Sequence, residues 1–91
     1  MGQNNNALPF SWVKNKLKEK KNKALRLDRN SKEYIEEWLE IVDFIRRVLE
    51  LLPEESQERR VMLYELVTAL VEGNKLEEAH DALDELRRIK G

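Results

Sequence analysis

Tyr34, Trp38, Ile41, Ile45, Val48 and Leu52 follow one another at spacings of 4, 3, 4, 3 and 4 residues. No other feature of this sequence limits the fold so tightly. At that spacing the six side chains fall on one face of an α-helix and form a continuous apolar seam. A second row, Ile35, Leu39, Val42 and Leu49, lies beside it. Together the rows span about half the circumference at 3.6 residues per turn. A helix over residues 31–52 with so wide an apolar arc is a central helix, and the rest of the chain must supply what covers it.

The flanking segments supply further helices. Asn30, with Glu33 three residues on, predicts an amino-terminal cap for the central helix. Pro53 stops that helix and suits the first turn of the next, over 54–72, where Glu54, Glu55 and Glu58 favour the positive end of the macrodipole. This third helix is expected to bury Leu63, Leu66, Val67 and Leu70, with Met62, Ala69 and Val71 alongside. Gly73 is expected to end it through positive φ, and Asn74 with Glu77 to cap a fourth helix, over 75–90. Leu76, Ala79, Leu83 and Leu86 form the fourth seam, with Ala82 and Ile89 in support. Amino-terminal to all of these, Phe10, Val13, Leu17, Ala24 and Asp28 share one row of a helix over 11–28, with Trp12 and Leu25 beside it. Lys20 and Lys21 interrupt that stripe, so this helix is expected to be the most loosely attached. Connections this short make neighbours antiparallel. The expectation is an all-α fold, a small antiparallel bundle of four helices: a flexible lead at 1–10, a basic arm helix at 11–30 and an acidic helical core domain at 31–91.

Charge divides the chain in the same place. The 91 residues suit one domain, and the net charge of −1 looks bland. Yet residues 1–32 hold nine basic and two acidic side chains, whereas residues 33–91 hold eight basic and sixteen acidic. Lys14, Lys16, Lys18, Lys20, Lys21, Lys23 and Arg26 surround the arm, so they cannot all meet the acidic body. They are the candidate site for an anionic partner. Lysine acts as a point charge where arginine reads a bidentate acceptor, so the composition favours diffuse attraction. Nucleic acid, with Phe10 or Trp12 available for stacking, a partner protein and an anionic membrane surface all fit that description.

The inventory for catalysis is thin. His80 is the single histidine; Ser11, Ser31, Ser56 and Thr68 are the hydroxyl candidates, and none has a recognisable catalytic spacing. Glu77, Glu78, Asp81, Asp84 and Glu85 read as a solvated helix face, without EF-hand spacing. No glycine-rich phosphate loop or cysteine is present. The expectation is therefore a non-enzymatic interaction or regulatory module, with no catalytic residue, metal, cofactor or small-molecule substrate. MGQNNNALPF lacks the charged and apolar regions of a secretory signal, and no apolar run reaches membrane-spanning length. A soluble cytoplasmic protein is expected.

Two resemblances bear on this reading. LVEGNKLEEAHDALDEL resembles the turn and second helix of a tetratricopeptide repeat, with Gly73 near the turn glycine, Ala79 at the small packing position and Leu83 where an aromatic is usual. No second copy recurs at the family's period, and one hairpin cannot form a stacked groove, so the resemblance implies packing alone. Gly2, followed by a basic amphipathic segment, is similar to the two-signal pattern of myristoylated membrane proteins such as retroviral matrix domains, with Asn6 where that motif has Ser or Thr. That implies a matrix-like peripheral membrane protein as an alternative. Finally, Phe44 and Leu51 project away from the central seam. With Trp12 they are a candidate protein interface, covered either by the arm or by a second copy in a homodimer.

Overall fold

Local hydrogen bonding at three turns cuts the chain into four helices. In a computed structural model, which describes residues 9–89, these are α1 (Phe10–Leu25), α2 (Lys32–Glu50), α3 (Gln57–Glu72) and α4 (Leu76–Arg88). The all-α architecture stands as the sequence implies. Gly2, Asn6 and most of the expected lead lie outside the described residues. Phe10 already belongs to α1.

α3 ends at Glu72 as expected, but the starts of α2, α3 and α4 differ from their expected positions for local reasons. At α2, Ser31 and not Asn30 is the cap: its Oγ accepts from the Tyr34 amide at 3.2 Å and donates to the Asp28 carbonyl at 2.6 Å. Asn30 instead donates its backbone N–H to Asp28 Oδ1 at 3.0 Å, within the preceding turn. At α3, Ser56 caps through the Arg59 amide at 3.0 Å and donates to the Pro53 carbonyl. Pro53 to Glu55 therefore form a turn, and α3 starts three residues later than Pro53 suggests. A hydroxyl that bonds on both sides of the junction outcompetes the proline signal.

The α3–α4 turn reverses another expectation. Gly73 has φ −84°, and Asn74 is the residue with positive φ, at 63°. Asn74 donates to the Val71 carbonyl at 3.0 Å and Lys75 to the Leu70 carbonyl at 2.8 Å. That pair of bonds is a Schellman closure with asparagine in the left-handed position. Gly73 is needed for space, since a Cβ there would lie 2.8 Å from Leu39 Cδ2 and 3.2 Å from the Ala69 carbonyl oxygen. Asn74 consequently does not cap α4, whose cap position is Lys75 without a side-chain bond.

The core is built around α2, which buries Tyr34, Trp38, Ile41, Val42, Ile45, Val48 and Leu49. Val13, Leu17 and Ala24 come from α1, the narrow stripe expected of the arm. α3 buries Met62, Leu63, Leu66, Ala69 and Leu70. α4 buries only Ala79 and Ala82, with Leu86 and Ile89 packed at the margin. Leu76 is exposed, and so is Val71, both expected inside. The helices pack in chain order, α1 on α2, α2 on α3 and α3 on α4. Arg59 joins three of them, donating to the Leu49 carbonyl at 2.9 Å and to Glu85 at 2.7 Å. The result measures 49 × 29 × 16 Å, thin enough that α3 keeps one side to solvent.

Candidate functional site

The seven cations proposed for the arm do not form one site. α1 antiparallel to α2 brings Lys23 to Glu37 at 3.5 Å and sets Lys20 over the Phe44 ring, 5.3 Å from its centroid. Lys16 lies over Trp12 at 5.9 Å and pairs with Glu19 at 3.8 Å. On the opposite flank of α1, Lys21 reaches Glu65 of α3 at 2.9 Å. Lys14, Lys18 and Arg26 are exposed and make no ion pair among the described residues. Lys20, Lys21 and Lys23 fasten the arm to α2 and α3, each modestly because it is partly solvated, while Lys16 is engaged within α1 alone.

The apolar candidates divide as well. Trp12 meets Phe44 with ring centroids 6.5 Å apart, so the arm covers Phe44, as one of the two expectations held. Leu51 is left uncovered, 63% exposed. The pair that suggested a dimer through α2 is thus reduced to one leucine.

A different surface gathers what remains. Gln57, Val61, Tyr64, Thr68 and Val71 are spaced 4, 3, 4 and 3 along α3, on the side diametrically opposite Leu63, Leu66 and Leu70 by the helix step. Tyr64 is 69% exposed and Val71 47%. α3 is apolar on two opposite faces, of which one has a partner. Val61 lies between two open grooves. One, of about 380 Å³, runs between α1 and α3 over Leu17 and Met62 and is edged by Lys14, Lys18 and Lys21. The other, of about 320 Å³, has Gln57, Arg60, Tyr64 and Leu86.

Two of the three α3 acids beside this surface are engaged, and Glu58 has no ion-pair partner among the described residues. Glu65 holds Lys21. Glu72 accepts from the Tyr34 hydroxyl and pairs with Arg29 at 3.4 Å. Burial pushes the Tyr34 phenol up, and the bond to Glu72 adds to that rise. His80 is exposed on α4, and no cluster of three potential metal-ligating His, Cys, Asp or Glu residues occurs among the described residues. No described helix is long and apolar enough to cross a membrane.

No family model, curated protein or solved structure matches this chain. The site therefore rests on its own geometry. Sequence reading missed Val61, Tyr64 and Arg60, and placed Val71 inside. The signal was available in the spacing of the outer row, but the inner row of the same helix is equally apolar, and one row masks the other when a single seam is sought. Arg59 carried no local signal at all, because its partners lie on α2 and α4.

Proposed function

We propose that this protein is a non-enzymatic interaction module that binds a partner protein through the outer surfaces of α1 and α3. One observation carries the reading: α3 is apolar on two opposite faces, and its outer row Val61, Tyr64 and Val71 is exposed while its inner row is packed. A surface helix needs one apolar face for its own core, so a second, exposed apolar row is a surface awaiting cover. The grooves beside it offer amines and aliphatic groups, which suit recognition.

The test is affinity capture on the intact chain from its host, at low and at high salt, with both protein and nucleic acid analysed. A stoichiometric protein partner retained at high salt is the expected result. A second reading, diffuse nucleic-acid binding by the arm, is favoured by Lys14, Lys18 and Arg26 standing without ion-pair partners among the described residues. Recovery of nucleic acid alone, released as salt rises, would decide for it, because counterion release makes such binding steeply salt-dependent.

A further inference from the structure

The two grooves on either side of Val61 make one surface with a ridge along its middle. Along the ridge run Val61, Tyr64, Thr68 and Val71, at the spacing by which one helix packs lengthwise on another. On its α1 side stand Lys14 and Lys18, and beside Tyr64 stands Arg60. None of these three cations has an ion-pair partner among the described residues. Glu65 and Glu72 are neutralised by Lys21 and Arg29. Glu58, on the same flank as Glu65 and one turn from Val61, is exposed and has no ion-pair partner among the described residues. Three free cations thus stand against one free carboxylate, and the charge around this ridge is net positive, although residues 33–91 carry an excess of eight negative charges.

We propose that the outer face of α3 docks an acidic amphipathic helix of a partner protein, its apolar side on Val61, Tyr64 and Val71 and its carboxylates on Lys14, Lys18 and Arg60. This rests on the interaction-module reading and names the chemistry of its partner. Charge complementarity chooses the occupant. A second copy meeting the same face across a two-fold axis would set cation against cation around the ridge. A polyphosphate strand calls for a continuous cationic track with a succession of stacking faces, whereas here an uncharged ridge parts Arg60 from the lysines and offers one ring, Tyr64, and Trp12 packs against Phe44 and Lys16.

The probe is a labelled synthetic peptide of about five helical turns, with leucines at heptad spacing and glutamates elsewhere, titrated by fluorescence anisotropy. Controls are the same composition with the leucines scattered around the helix, vesicles of anionic phospholipid, and oligo-deoxythymidine. The amphipathic peptide is expected to bind saturably and the scattered peptide at least about tenfold more weakly. Val61→Ser with Tyr64→Ser should weaken binding about tenfold, as for exposed anchors at the centre of an interface. Lys14→Glu with Lys18→Glu should weaken it several-fold and flatten its salt dependence. Both double variants are expected to keep the parent melting temperature, since all four side chains are exposed.

The proposal is overturned if the scattered peptide binds equally well, if either folded variant binds like the parent, or if only vesicles or oligonucleotide bind. Sedimentation showing a dimer that Val61→Ser with Tyr64→Ser dissociates would assign the face to a second copy and overturn it too. A host protein captured equally by parent and by that variant would break this assignment and leave the module reading standing. Peptide binding as expected, with no host protein captured, would break the module reading and leave the surface chemistry intact.

Discussion

α2 and α3 are neighbours of comparable apolar content, yet one is finished and the other is not. On α2 the outward row is Glu33, Glu36, Glu40, Asp43, Arg47 and Glu50, all exposed and all charged. On α3 the outward row is Gln57, Val61, Tyr64, Thr68 and Val71, exposed and mostly apolar. What separates the two helices is placement: α2 concentrates its apolar side chains in one arc, and α3 distributes them over two. A helix of the first kind is satisfied by its own bundle; a helix of the second kind leaves a face for something else.

Substitutions can break that comparison. The largest effect belongs to Ile45→Asp on the inner side of α2, where the side chain is fully enclosed. An uncompensated carboxylate there is expected to cost more than about 4 kcal/mol and abolish cooperative thermal unfolding. Retention of full helical circular dichroism with an unchanged melting temperature would show that the seam is not the core.

Next comes the inner row of α3. Leu63→Ala should cost about 2–5 kcal/mol through lost burial and the cavity left behind, read by denaturant titration. The outer row sets the contrast, since Val61→Ser and Tyr64→Ser should each stay within about 0.5 kcal/mol. If the outer substitutions destabilise as much as Leu63→Ala, both faces of α3 are structural and the two helices do not differ.

The tyrosines sharpen the contrast further. Tyr34 is buried and donates to Glu72, so Tyr34→Phe should cost about 1 kcal/mol. Because the folded phenol is held above the ordinary tyrosine value, its contribution is complete below about pH 10 and is lost as pH rises through the folded pKa. Stability measured by denaturant at rising alkaline pH should fall in the parent and fall less steeply in Tyr34→Phe. Equal slopes would remove Tyr34 as the cause.

The turn pairs a small effect with a near-neutral one. Gly73→Ala should cost roughly 1 kcal/mol, because the new methyl meets Leu39 and the Ala69 carbonyl even though φ is ordinary. Asn74→Gly should be nearly neutral, since glycine also accepts the left-handed conformation. The reverse ranking in thermal melts would mean that the Asn74 side chain, and not the space at position 73, governs the turn.

Much of the fold was legible in the sequence. The paired rows of α2, the single stripe of α1 and the short connections determined an all-α protein with α2 at its centre, because periodicity is a property of the chain itself and survives any arrangement of neighbours. Helix ends were less legible: Asn30, Pro53 and Asn74 each gave a local signal that a competing hydroxyl or backbone closure overrode. The site was the least legible part. Charge composition drew attention to seven cations on α1, but which of them remain free depends on where Glu37, Glu65 and Phe44 arrive, and those are set by packing. Val61, Tyr64 and Val71 became a surface only once α2 and α4 had taken the opposite side of α3. Sequence thus determined which residues share a helix face. Tertiary structure decided which face was covered, because burial depends on the neighbours a face meets and not on its own hydrophobicity.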